Sequence, residues 1–322
     1  MKTKTLKTLK FVLFLAPLFL YVFFTEHSLS KLPNSYTAKK RGIEQALPKL
    51  EVLNLGSSHG NFGIDPAPFH YPGFNLANVS QTLYYDDNLL KLYIKRAPKL
   101  RIVLIPISYF TLGERLIDTK EYWRGFFYER TYGIPMENHS RDYDIKRYSW
   151  YLLYGNSAVT GWLMKGFRMN PAADIHENGF CGERQFVVAD YMKNIGEASA
   201  QKRVKGHNQE FDTANVAQNV GYLMDMIELC QASQIVPVIV TTPVYKSYAR
   251  RMDMRLWGLT QEKIGGLVKK YGISYRDFLN DSRFVREDFR DNDHLNPDGA
   301  EKLSRILNDE VLTPIMIDST VP

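Results

Sequence analysis

The stretch LNLGSSHGNFGIDP (residues 53–66) decides how the chain is read. A short apolar run ends at Gly56, and Ser57, Ser58, His59 and Gly60 follow as a polar turn. Glycine lets a chain leave a strand sharply, which would stand Ser58 at the strand's carboxyl end. A serine hydroxyl is a poor nucleophile until a base takes its proton, and the base needs a third group to orient it. Among the seven histidines, His294 has the context for that work. It lies three residues after Asp291 in Asp291-Asn292-Asp293-His294. On a turn, this spacing puts carboxylate and imidazole on the same side, with one ring nitrogen left for a substrate. Ser57 reads as a residue that holds the turn, and His59 as a turn histidine.

Strands and helices alternate around these residues. Apolar runs at 50–55, 73–78, 100–108, 234–242 and 273–278 read as strands, the third and fourth β-branched enough to be buried on both faces. Helical spacing covers 80–98, 213–232 and 259–271. Asn296-Pro297-Asp298-Gly299 opens a last helix, with Asn as N-cap, Pro in the first turn and an acid at the positive end of the dipole. This alternation predicts an α/β fold, a flavodoxin-like three-layer sandwich around a parallel sheet. Residues 109–212 interrupt it and are rich in aromatics, among them Tyr122, Trp123, Phe126, Phe127, Tyr128, Trp150 and Trp162. They read as an insertion at the carboxyl end of the third strand, where open α/β sheets bind ligands. It would serve as a covering subdomain, or as a lid or acceptor groove.

With these motifs placed, the chain resembles the SGNH (GDSL-like) hydrolases. Gly56-Ser57-Ser58 stands where that family has its Gly-Asp-Ser, and Asp291 and His294 match its closing D-x-x-H. The resemblance implies Ser58 as nucleophile, His294 as base and Asp291 as its orienting acid. The family's N-x-G-x-x-G block has its counterpart in Asn75 to Ser80, with Ser80 where a glycine donates its N–H to the oxyanion. The G-x-N-D block appears as Pro106-Ile107-Ser108-Tyr109, so Ser108 holds the place of an asparagine that completes the oxyanion hole. The implied hole is therefore Ser58, Ser80 and Ser108. Losing one donor costs about 2.7–4 kcal/mol of barrier; Ser108 or an insertion residue would compensate, or the acyl donor would be activated. DNDHLNPDGAEK (291–302) resembles a membrane-anchored branch, which includes the teichoic acid D-alanyl transfer protein and the alginate O-acetylation proteins. The resemblance covers about 50–108 and 213–311. Gly56 to Gly60 also fits the G-x-S-x-G elbow of α/β-hydrolases, but that elbow lies mid-sheet, with its acid far from its histidine in sequence.

The first thirty residues differ in kind. Lys2, Lys4, Lys7 and Lys10 precede an uncharged apolar run from Phe11 to Phe24. That is the pattern of a signal anchor, or of a secretory signal cleaved near Ser28-Leu29-Ser30. The run is short of the roughly 20 residues that span a bilayer, and Leu6 and Leu9 extend it. The expected organisation is an anchor over 1–30, a linker over 31–48 and an extracytoplasmic domain over 49–322. The net charge of +6 falls to +3 once the four lysines and one glutamate of the first thirty residues are removed. With no Arg-rich run and no zinc pattern, nucleic acid is excluded as a partner, and neither a metal nor a cofactor is expected. Anchor and family branch imply a cell-surface polysaccharide or acylated glycan as substrate, with a membrane-bound acyl-carrying partner protein. Cys181 and Cys230 are read as a disulfide or as two buried thiols. Tyr245, Arg250 and Arg251 could meet an anionic polymer or form a solvated basic face, and sequons begin at Asn78, Asn138 and Asn280.

Overall fold

The computed structural model describes residues 2–139, 141–166, 170–183 and 185–318. They form two units, one of residues 1–34 with 138–172, the other of 35–137 with the chain from 173 onward. The second unit carries the sheet: β1 (Val52–Asn54), β2 (Gly73–Asn75), β3 (Ile102–Pro106), β4 (Val236–Thr241) and β5 (Ser274–Asp277). The order is β2-β1-β3-β4-β5 and every pairing is parallel. The expected α/β fold with a central parallel sheet is the one observed. The β-branched run of β3 is buried along its whole length, as a central strand covered on both faces must be. β5 leaves Arg276 and Asp277 exposed, as an edge strand can.

One face of the sheet presents Val52, Ile102, Leu104, Val238 and Val240 to Leu303, Leu307 and Val311. The Pro297–Leu307 helix and the turn that continues it over Asn308–Leu312 supply this cover, and Asn296 caps the helix by accepting from the Gly299 N–H at 2.9 Å. Strand order reverses between β1 and β3, which opens a crevice at their carboxyl ends. Ser58 follows β1 there, and Ser108 follows β3.

Two segments differ from the sequence reading. Residues 31–48, expected to be a linker, contain a helix over Ser35–Ala46 that buries Tyr36, Lys39 and Ile43. Its lysines and arginine give the segment a polar composition, and only the spacing of three residues marks its inner face. The 109–212 block does not stay together: 109–137 and 173–212 belong to the sheet-bearing unit, and 138–172 to the other. Its buried aromatics serve as core. Tyr128 stacks on Tyr85 with ring centroids 4.0 Å apart, and Phe127 stacks on Tyr36 at 5.0 Å.

The smaller unit is built on a helix over Lys2–Ser30, of which Lys10–Ser30, 21 residues at mean hydropathy 1.6, is long and apolar enough to cross a membrane. Near its end Leu29 packs with Leu32, Val159 and Trp162. Glu26 accepts from the backbone N–H of Trp150 at 2.6 Å and the Ser149 hydroxyl at 2.5 Å, a carboxylate at the N-terminus of the Trp150–Met164 helix, where the dipole favours it. Cys181 and Cys230 are both free thiols, and burial pushes that of Cys230 up to about 12. Arg250 and Arg251 both pair with Glu197. Asn78 is buried and its amide bonds Ser35; Ser140 of the second sequon lies outside the described residues.

Lys39 ties this scaffold together. Its ammonium donates to Asn61 Oδ1 at 2.7 Å and to the carbonyls of Asn75 and Ala77. Burial pulls its pKa down to about 7, but three acceptors match the three donors of the charged form. It thereby fastens the helix that begins at Ser58 to the segment leading to Ser80. Each orphaned buried acceptor costs about 1–3 kcal/mol. Lys39→Met keeps the stem and loses every donor, so urea unfolding of the detergent-solubilised chain should show a loss of at least about 2 kcal/mol. An unchanged midpoint would refute these contacts.

Candidate active site

The turn after β1 is shaped by two glycines. Gly56 has φ 106°, and a Cβ there would lie 3.1 Å from the Pro106 ring. A Cβ on Gly60 would lie 2.8 Å from the Leu55 carbonyl oxygen. The Gly56 N–H donates to Asp86 Oδ1 at 2.7 Å, and Gln81 donates to the same oxygen at 2.6 Å. Burial pushes Asp86 up to about 7. Ser58 is the first residue of the Ser58–Gly63 helix, so its N–H belongs to the first turn, where no intrahelical acceptor exists.

At the other end of the sequence Asp291 organises its own loop. Its Oδ1 accepts from the backbone N–H of Asp293 at 3.0 Å and of His294 at 2.9 Å. Both its oxygens lie 3.0 Å from His294 Nδ1. His294 Nε2 lies 2.9 Å from Ser58 Oγ. An ionised carboxylate can only accept, so Nδ1 carries the proton and Nε2 is the lone pair that faces the serine hydroxyl. Burial works against a charge on His294, but the Asp293 and Asp291 carboxylates outweigh it and raise its pKa above the ordinary 6.5. Ser58, His294 and Asp291, 233 residues or more apart in two of the three pairs by number, thus form one line of hydrogen bonds.

That line opens into a cavity of about 480 Å³. Ser80 is on its wall with φ 56°, a left-handed conformation that favours glycine. Its hydroxyl donates to Glu121 at 2.5 Å. Ser108 is not on the wall. It is buried, and its Oγ lies 2.8 Å from His59 Nδ1. The structure therefore brings Ser58, Ser80, His294 and Asp291 together and leaves Ser108 behind them.

His59 is more than a turn residue. It is buried, with Nε2 3.3 Å from Asp293 Oδ2, so Nε2–H donates to the carboxylate and Nδ1 accepts from Ser108. Asp293 also accepts from Arg203 Nε, at 3.1 and 2.9 Å to its two oxygens. Burial opposes its charge, but His294, His59 and Arg203 hold it well below the usual carboxylate range. His59, Asp293 and His294 bring ligand-type atoms within 4.8 Å of one another; the guanidinium already compensates Asp293.

The insertion contributes a charged wall to the cavity. Glu114, Lys120, Glu121, Lys202, Arg203 and Glu210 line the cavity, with Phe62 and Phe110 its only aromatic rings among the described residues. Burial pushes Glu114 up to about 8, so it is uncharged at neutral pH. His207 stacks on Phe110 at 4.2 Å and bonds the Tyr248 hydroxyl at 2.6 Å; burial pulls it down to about 3. Arg203 and His207 share a face of the Glu197–Glu210 helix by their spacing of four, the one signal in the sequence that could have paired them.

No family model and no curated protein matches the chain. Solved structures similar to it include one described as an acylhydrolase from Bacteroides fragilis NCTC 9343, at 11% identity and TM-score 0.41, over 86% of this chain and 96% of that one. Another is a GDSL-like lipase from Bacteroides thetaiotaomicron VPI-5482, at 10% identity and TM-score 0.40, over 87% and 99%. The reading of the site rests on its own geometry.

That geometry fixes how His294 titrates. In NMR titration of histidine-labelled chain its resonance should move above the 6.5 of a free imidazole, and Asp291→Asn should bring it down. A midpoint unmoved by that substitution would deny Asp291 its role.

Proposed function

We propose that the protein is an SGNH-type serine acyl-esterase or O-acyltransferase, held by its N-terminal helix at the cell membrane with the domain outside the cytoplasm. The single observation that carries this reading is the Ser58–His294–Asp291 line at the mouth of the cavity. The apolar Lys10–Ser30 helix supports the anchor.

In this reading His294 Nε2 takes the Ser58 proton as Oγ bonds the acyl carbon. The carbonyl electrons move to oxygen, and the N–H groups of Ser58 and Ser80 receive that charge. Collapse breaks the bond to the leaving oxygen, which takes the proton from His294 and leaves an acyl-serine. A second hydroxyl then repeats the sequence. Water makes the protein an esterase; a sugar or polyol hydroxyl makes it a transferase. The anchor and the charged, hydrogen-bonding wall favour a cell-surface polysaccharide as the modified molecule, with a membrane-bound acyl-carrying protein as donor.

The position of Ser108 gives weight to one other reading, a non-catalytic SGNH fold that binds glycans or assembles a complex. The test uses purified full-length chain in detergent with p-nitrophenyl acetate. The wild type should release p-nitrophenol and yield an acylated Ser58 peptide by mass spectrometry. Ser58→Ala and His294→Ala should each lose the acyl-enzyme and nearly all turnover, since the members of such a unit fail together. Equal background in all three would sink the catalytic reading in favour of the binding one.

A further inference from the structure

Among the described residues, Arg203 is the arginine placed against His294. Its Nη2 lies 3.5 Å from His294 Nε2, which is itself 2.9 Å from Ser58 Oγ. Its Nε is held by Asp293, so the fork is fixed from one edge. The side chain is 44% exposed and lines the cavity with Ser58 and Ser80. A guanidinium bound through Nε keeps its Nη hydrogens for another acceptor.

What holds it there starts at position 108. Ser108 Oγ bonds His59 Nδ1, His59 Nε2 bonds Asp293, and Asp293 bonds Arg203. The residue that would have supplied a side-chain donor to the cavity is thus the far end of the chain of contacts that positions a different donor. Glu114, an acid on the same wall, has its carboxyl pushed up to about 8 by burial, so, against burial, Asp293 and Asp291 are the carboxylates that raise the pKa of Arg203.

We propose that Arg203 supplies the third oxyanion donor, and that Ser108, His59 and Asp293 are the positioning residues behind it. This rests on the reading of Ser58 as nucleophile. The one lone pair of His294 Nε2 takes the Ser58 proton, so Nη2–H, 3.5 Å away, keeps its hydrogen for another acceptor. The same step creates a negative oxygen on the acyl carbon. Nη2–H then donates to that oxygen beside the N–H groups of Ser58 and Ser80. No atom or electron is exchanged with Arg203, which stays protonated throughout.

The experiment follows the acylation burst of the full-length chain in detergent with p-nitrophenyl acetate, and Ser58 labelling by a p-nitrophenyl organophosphate, whose adduct is tetrahedral. Arg203→Ala should slow the burst about 100-fold with KM little changed, and slow labelling with it. Arg203→Lys should keep part of the rate, and added guanidinium ion should restore part of it to Arg203→Ala but none to Ser58→Ala. Because Arg203→Ala leaves Asp293 uncompensated, Arg203→Ala with Asp293→Asn is the companion variant; it should fold and remain slow. A wild-type burst that persists at full rate in a folded Arg203 variant overturns the proposal and leaves the nucleophile intact. A raised KM with an unchanged burst also overturns it, assigning Arg203 to ground-state binding. No burst in the wild type overturns both.

Discussion

The imidazole of His294 must keep one nitrogen on Ser58, and the hydrogen bond from Nδ1–H to Asp291 at 3.0 Å holds it so. Everything else at the site follows from that orientation. With Nδ1 committed, only Nε2 can accept, and Ser58 Oγ is the hydroxyl within reach. The constraint is local on one side and long-range on the other. Asp291 and His294 share a turn, and the backbone N–H of His294 bonds the same carboxylate oxygen as its ring, so they stay in register whatever the sheet does. Ser58 reaches them because β1 is an inner strand, beside β3, and the glycine turn stops it at the sheet's carboxyl edge.

The buried charges around this line are compensated group by group. Asp293 is almost fully buried, a position that costs several kcal/mol without partners, and it has His59, Arg203 and the neighbouring His294. Asp86 is met by a backbone N–H and an amide, and Lys39 by three oxygens. These groups bind the Ser58 turn, its helix and the Asn75–Ser80 segment to one another. A fixed polar framework of this kind is what places a nucleophile within a fraction of an ångström of its base.

The sheet and the Asp291–His294 contact were legible in the sequence because each rests on local pattern. The β-branched runs of β3 and β4, the capped helix at Pro297 and the D-x-x-H turn carry their structure within a few residues of themselves. What the sequence did not reveal depends on distance. Asp293 reads as a loop acid beside His294 until a helix ninety residues earlier brings Arg203 to it. His59 reads as a turn residue until Ser108 and Asp293 close on its two nitrogens. The Ser35–Ala46 helix reads as a linker because its inner face is three residues wide and one of them is a lysine. By composition the aromatics of 109–212 read either as the core of a covering subdomain or as a lid or groove, and rings such as Tyr128 and Phe127 stack on Tyr85 and Tyr36 as core.

The four residues behind the base form a unit in the energetic sense as well. Removing one member of a buried ion pair costs about 3–5 kcal/mol because the other charge is left unpaired, whereas replacing the pair by apolar groups can be neutral. Arg203 is 44% exposed and Asp293 keeps both histidines as partners, so losing Arg203 costs less than this while still removing the closest partner of a buried carboxylate. Asp293 in turn gives His59 the acceptor that sets its tautomer, and that tautomer is what turns the Ser108 hydroxyl toward Nδ1. A serine at 108 is thus the small hydroxyl this tautomer of His59 calls for. A larger amide there would have to displace that contact or crowd the buried ring. The departure at position 108 and the arginine in the cavity are two ends of one compensated network.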